Sequence, residues 1–281
     1  MNICIVSPHL DDAILSCGIL MQRHKAAGDE VLSLNIFTAG TNAENRRMEE
    51  LLAEKEIGAQ AFFLDELDAP DRSPLYKSDI KLFFGALEDI SEQYIAKLEK
   101  RVRDFFTEHK IDIAYFPLAA GTHIDHRIAH AFGQRIKDIP VKFYEDRPYI
   151  LWPGILQGRM NQLGSDAVLP HITEQMMRDT LHSYHYLKHF VPEGDYQREC
   201  LPLYFAMVKQ TSASTLKSKS ETLVATEAEI KKLYESLSRY ESQMKYIYPD
   251  YATFMKDNLN YEQANSGQNI YAERFWTFSA P

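Results

Sequence analysis

A chain of 281 residues with 45% hydrophobic and 25% charged side chains has the makeup of a globular protein, which excludes disordered and collagen-like classes. Its 31 basic residues against 40 acidic ones leave a net charge of −9, and no basic patch interleaves with aromatics, which excludes a nucleic-acid partner. Three scattered cysteines suit a reducing compartment, and no apolar run reaches the roughly 18 residues of a membrane span, so a soluble cytoplasmic protein is expected.

"NICIVS" (2–7) is a short continuous apolar run and predicts a buried strand. Residues 13–27 set Ile14, Leu15, Cys17, Gly18, Leu20 and Met21 on one side of a helix that stops at Gly28. "VLSLNIFTAG" (31–40) reads as the next strand, and "NAENRRMEELLAEKEIGA" as a helix capped by Asn42 and closed by Gly58. "QAFFLD" is a third strand, followed by the Pro-rich loop "LDAPDRSPLYKSD". An amphipathic helix is expected over roughly 88–109, a strand over 111–118, a helix from about Asp125, and a strand in "IPVKFYEDRPYI".

Strands alternating with long helices call for a parallel sheet with right-handed crossovers, a doubly wound α/β layer. Beyond residue 150 the pattern weakens. "WPGILQGRMNQLGSD" looks like loop, "TEQMMRDTLHSYHYLKHF" helical, "CLPLYFAMVKQ" one further strand, and 219–258 helical and charged. With no internal repeat, residues 1–281 are expected to form one α/β domain with the helices of about 219–258 packed on it.

In an open parallel sheet, ligands collect beyond the carboxyl ends of the strands. Two polar clusters fall there: His9, Asp11 and Asp12 after the first strand, and "GTHIDH" (121–126) after the fourth. Adjacent carboxylates repel unless a cation, a proton or water resolves the conflict. A catalytic zinc takes three ligands from His, Asp and Glu and leaves a place for water. His9 and Asp12 are three apart, so one turn can aim both at a point, and a histidine of "HIDH" would complete the set. Asp11 would then lie beside the water as general base, a role worth about 10²–10⁴-fold.

These segments carry a resemblance. "PHLDDAILSCG" is similar to the "HPDDE…GG" signature of the PIG-L/LmbE-like zinc N-deacetylases, and "HIDH" to that family's "HPDH". "RRMEELLAEKEIG" resembles its Arg-x-x-Glu…Ala…Leu-Gly helix, "YEDRPY" a segment after the second motif, and "LYESLSRYESQ" a C-terminal helix ending in Tyr-x-Ser-Gln. The likeness runs from residue 3 to about 243. It implies a Rossmann-like α/β fold, a mostly parallel sheet flanked by helices with a helical C-terminal part. The activity it implies is hydrolysis of the N-acetyl group of a GlcNAc-type sugar or glycoside by a zinc-bound water.

Carried over position by position, His9, Asp12 and His126 would hold Zn2+, with Fe2+ as the other metal such a site takes. Asp11 would be the base. His123, oriented by Asp125, would stabilise the oxyanion or protonate the leaving amine, and Arg46 would hold the sugar. Leu10 stands where the family has Pro and Ala13 where it has Glu; neither is a ligand or the base, but losing the Glu alters the hydrogen bonding behind the metal.

Plainer readings stand beside these. Asp11 or Asp12 could cap the first helix while His9 packs, and Asp125 could cap the later helix. Arg46 could be an i,i+3 partner of Glu49, worth roughly a few tenths of a kcal/mol. His130, four after His126, is read as structural, since Arg127 rather than Glu follows the first His of the would-be HExxH. His182, His185 and His189 read as a surface or cleft rim, and Asp71 and Arg72 as turn chemistry. The rival functions are cleavage of another amide, ester or carbamoyl bond at the same metal, or a non-catalytic sugar-binding module. No GxGxxG or GxxxxGK[ST] loop supports a nucleotide site. A homo-oligomer is compatible with all of them.

Overall fold

The structure, a computed structural model, describes residues 1–84, 87, 90–181, 201–209, 212 and 215–280. Strands β1 (Asn2–Ser7), β2 (Glu30–Asn35), β3 (Gln60–Phe63), β4 (Ile113–Pro117) and β5 (Val141–Tyr144) pair in parallel, with β1 at the centre between β2 and β4. The full sheet has the order β3-β2-β1-β4-β5-β7-β6. Apolar side chains cover both faces of β1, as a strand buried under helices on two sides requires. Its register against β4 matches Ile5 with Tyr115, so Ser7 and Pro117, two residues on, end level. Chain connection reverses direction between β1 and β4, and a cleft opens at that switch point.

The crossover helices are α1 (Asp12–Ala26), α2 (Ala43–Ile57), α5 (Glu92–Glu108) and α6 (Ile124–Gly133). The loop expected over 67–79 coils into the single turn α3 (Ala69–Arg72), a 3-10 turn at Pro74–Lys77 and the start of α4 (Asp79–Phe84). The second strand stops at Asn35, with one bridge from Ala39 to Leu67 beyond it.

The later chain departs from expectation in four places. "WPGILQGRMNQLGSD" contains the helix α7 (Ile155–Leu163), and α8 (Glu174–Leu181) follows. The segment expected as a strand near 200–210 is the helix α9 (Leu201–Lys209): a short apolar run suits either form, and burial of Tyr204, Phe205, Met207 and Val208 shows a helical face. That face meets α7 at Gly158, where an added Cβ would lie 2.8 Å from the Val208 Cα. Residues 219–224, expected to be helical, belong to the edge strand β6 (Lys217–Val224), whose polar, mostly exposed side chains hide its pairing with β7 (Ala272–Ser279). The strand β7 itself had no expectation; it runs antiparallel to β5 and joins the C-terminal chain to the sheet.

Between these strands lie α10 (Glu227–Leu237), α11 (Glu241–Ile247) and α12 (Tyr251–Ser266). Helix α10 packs on α1 and α2: Leu233 is fully buried against Gly18, where a Cβ would come within 2.4 Å of the Leu233 Cδ1. Burying one such leucine contributes about 2 kcal/mol. Among the described residues, no helix is long and apolar enough to cross a membrane. His182, His185, His189 and Cys200 lie outside the described residues.

Candidate active site

The turn after β1 is tied from both ends by a buried hydroxyl. Ser7 Oγ donates to the His9 carbonyl at 2.7 Å and accepts from the Ala13 N–H at 3.1 Å. Asp11 sits between at φ 126°, a conformation costly for a side chain other than glycine's. Arg46 helps hold it there by donating to the Leu10 carbonyl at 2.8 Å, and its guanidinium stands 3.4 Å from Asp11 Oδ2. Asp11 is the N-cap of α1 yet makes no capping bond through its side chain, so capping does not account for it. Asp12 turns back: its Oδ2 accepts from the His9 N–H at 2.8 Å and lies 3.3 Å from His9 Nδ1.

The second cluster rises from the end of β4. His123, not Asp125, caps α6; its Nδ1 accepts from the Asp125 N–H at 3.2 Å. The Asp125 carboxylate turns elsewhere: to Arg72 Nη2 at 2.6 Å, to the Ala69 N–H at 3.0 Å and to His9 Nε2 at 3.2 Å. His126 brings Nε2 to 3.2 Å from Asp12 Oδ2. The Asp12 carboxylate therefore stands between the imidazoles of His9 and His126, and the ring of His123 is 4.8 Å from that of His9. All seven residues singled out from the sequence except Arg46 lie within this knot, and Arg46 borders it through Asp11. His130 leaves it, bonding the Pro117 carbonyl through Nδ1 at 2.9 Å.

The donor set fits a divalent cation. His9, His123 and His126 each offer a ring nitrogen, all within 4.8 Å of one another; His9, Asp68, His123 and Asp125 form a second such set. Both ring nitrogens of His126 are buried without a well-formed hydrogen bond, an expense that a Lewis acid would remove. Imidazole and carboxylate donors together suit zinc or ferrous iron.

Electrostatics divides the two neighbouring aspartates. Burial pushes the Asp11 carboxyl up to about 7, against the pull of Arg46. Burial works the same way on Asp12, but His126 and His9 outweigh it and hold that carboxyl well below the usual range. His123 is driven down to about 3 by burial, with His9 adding to the effect, so it is neutral at physiological pH. His126 moves the other way, to about 9, because Asp12 and Asp146 overcome its burial.

Four further groups shape the site without having been singled out for it. Asp68 places Oδ1 3.5 Å from His9 Nε2. Asp146, within "YEDRPY", accepts from the N–H groups of Ala119 and Ala120 at 2.9 and 2.6 Å and stands 3.9 Å behind His126 Nδ1. Tyr149 packs its ring 5.2 Å from that of His126, over Gly121, where any Cβ would collide with the Tyr149 ring at 2.3 Å. Arg72, read as turn chemistry, is the partner of Asp125. The signal available was position: Asp68 and Arg72 follow a strand's carboxyl end. Leu82, Tyr149, Tyr246 and Ile247 give the cleft, about 180 Å³, an apolar wall above this floor.

With this geometry, residues 4–137 match the family model described as PIG-L, GlcNAc-PI de-N-acetylase. Over these residues, just under half of the chain, the sequence is similar to that family. The matched segment holds every residue of the His and Asp knot. No curated protein matches the chain in sequence. Among solved structures, a deacetylase of teicoplanin biosynthesis in complex with teicoplanin is similar at TM-score 0.67 and 17% identity, covering 100% of this chain and 99% of the other. The zinc-inhibited form of teicoplanin deacetylase Orf2 is similar at TM-score 0.66 and 16% identity, covering 100% and 99%. GalB, a 4-carboxy-2-hydroxymuconate hydratase from Pseudomonas putida, is similar at TM-score 0.51 and 13% identity, covering 100% and 96%. The matched segment and the rest of the chain thus share one fold with these enzymes over nearly their whole length.

Proposed function

We propose that this protein is a divalent-metal-dependent N-deacetylase that hydrolyses the acetamide of an N-acetylated amino sugar or its glycoside. The observation that carries the reading is the knot itself: His9, Asp12 and His126 within reach of one another, with Asp11 beside them pushed up to about 7. His9, Asp12 and His126 would hold zinc or ferrous iron, and a cation there would supply Lewis-acid polarisation and a more acidic water. Asp11 takes a proton from the attacking water, and a carboxyl near 7 is matched to that task at neutral pH. Neutral His123 offers a ring N–H to the developing oxyanion or to the departing amine. Arg46 steadies the Asp11 turn and lines the cleft, where its guanidinium can meet a sugar hydroxyl.

The matched family and the teicoplanin-pathway deacetylase support an N-acetyl sugar, carried on a larger aglycone, as the substrate class. The hydratase of the same fold favours a second reading in which the knot activates water for addition to a carbon–carbon double bond. The test is to incubate the zinc- or iron-loaded protein with a panel of N-acetylglucosaminides and measure acetate and free amine, with and without chelator. Chelator-sensitive release of both in equal amounts is expected. Water addition to unsaturated carboxylates with no acetate from any glycoside would overturn the reading.

A further inference from the structure

The geometry points to Arg72 as a positioning residue for the proposed metal centre, acting through Asp125 on His9. This inference rests on the reading that the knot holds a divalent cation. Asp125 is fully buried, and among the described residues its cationic partner outside the knot is Arg72, with Nη2 at 2.6 Å. That contact is on Oδ1; the other oxygen accepts from the Ala69 N–H at 3.0 Å and faces His9 Nε2 at 3.2 Å. The position of Oδ2, and with it the tilt of the His9 imidazole, therefore follows where Arg72 holds Oδ1.

Arg72 is itself held from outside the knot. Its guanidinium carbon lies 5.2 Å from the Phe37 ring, 5.6 Å from Tyr94 and 5.7 Å from Tyr76, so rings from three different stretches of chain enclose it. Nη1 donates to the Leu67 carbonyl at 3.1 Å, and Nε, buried, makes no hydrogen bond. A flat guanidinium can lie among ring faces and still present one N–H to a carboxylate; a lysine ammonium cannot do both. Without the guanidinium, the buried Asp125 keeps the Ala69 N–H and the His9 ring as its partners, so the carboxylate shifts towards them and turns the imidazole away from the direction it shares with His126. Partners that orient a metal-binding histidine from behind commonly account for about 10- to 100-fold in metal affinity.

The experiment is Zn2+ titration of the chelator-stripped protein against a chromophoric competitor, on the wild type, Arg72→Gln and Arg72→Lys, with the Co2+ absorption spectrum of each. Arg72→Gln is expected to weaken Zn2+ binding about 10- to 100-fold and to shift the Co2+ bands, with Arg72→Lys intermediate. Wild-type affinity and an unshifted Co2+ spectrum in Arg72→Gln would overturn the inference. Should that variant fail to fold, the same result in Arg72→Lys, which keeps the charge but not the plane, would overturn it. A wild type that takes up no Zn2+ or Co2+ would instead overturn the metal reading beneath it.

Discussion

Glu49 receives Ser242 with both carboxylate oxygens: Oε1 accepts the Ser242 N–H at 2.8 Å and Oε2 the Ser242 hydroxyl at 2.6 Å. The contact joins two motifs almost two hundred residues apart, the Arg-x-x-Glu of α2 and the Tyr-x-Ser-Gln leading into α11. One residue on, Glu50 accepts from the Tyr240 hydroxyl at 2.7 Å, so the same helix turn grips α11 twice. Arg46, one turn earlier, reaches the knot. Helix α2 therefore sets the distance between the reacting groups and the cleft wall that α11 supplies through Gln243, Tyr246 and Ile247.

Glu49→Ala is expected to loosen α11 and blunt the cleft wall while leaving the knot assembled. Steady-state kinetics on an active N-acetyl glycoside should show KM rising about tenfold with kcat nearly unchanged, the pattern of lost uniform binding. A fall in kcat at constant KM would place the effect at the reacting groups instead.

Asp11→Asn keeps the shape of the turn and removes the base. Turnover is expected to fall by about 10²–10⁴-fold, with Zn2+ stoichiometry unchanged because Asp12 and the histidines remain. Inductively coupled plasma analysis beside the kinetics checks both halves, and a variant with undiminished turnover would reject Asp11 as the base.

Glu229 ties the C-terminal helices to α1. It bonds Arg23 at 2.7 Å and closes the Thr226 capping box of α10, and these contacts, led by Arg23, hold its carboxyl down at about 2. A folded-state value below the unfolded one contributes stability present above about pH 4.5 and lost as pH falls from there towards 2. Because Arg23 is partly exposed, solvent screening keeps the contribution to about 1 kcal/mol. Urea unfolding of Glu229→Gln should show that loss at pH 7 and a difference from wild type that shrinks between pH 4.5 and 2.

Gly18 is where α1 and α10 touch. Gly18→Val would drive its side chain into fully buried Leu233, at an expected cost of about 1–3 kcal/mol, read as a lowered urea midpoint. Pairing that change with Leu233→Ala should recover part of the loss if the collision causes it.

What the amino-acid sequence determined alone was local: apolar runs too short for anything but buried strands, helices punctuated by Gly28 and Gly58, and two polar clusters at strand ends. Those signals depend on neighbours within a few residues, and they sufficed for a mostly parallel sheet and for placing His9, Asp11 and Asp12 after one strand and His123, Asp125 and His126 after another; the order β3-β2-β1-β4-β5, which sets the two strands side by side, came from the fold. The tertiary structure alone decided the pairings. The Asp125 carboxylate finds Arg72 and His9 rather than His123, and Glu49 finds Ser242 rather than Arg46. The 201–209 run becomes a helix because α7 offers it a glycine groove, and polar β6 becomes a strand because β7 offers it an edge. A side chain's partner is set by which surfaces the folded chain brings within a few ångström, and periodicity along the sequence carries no record of that distance.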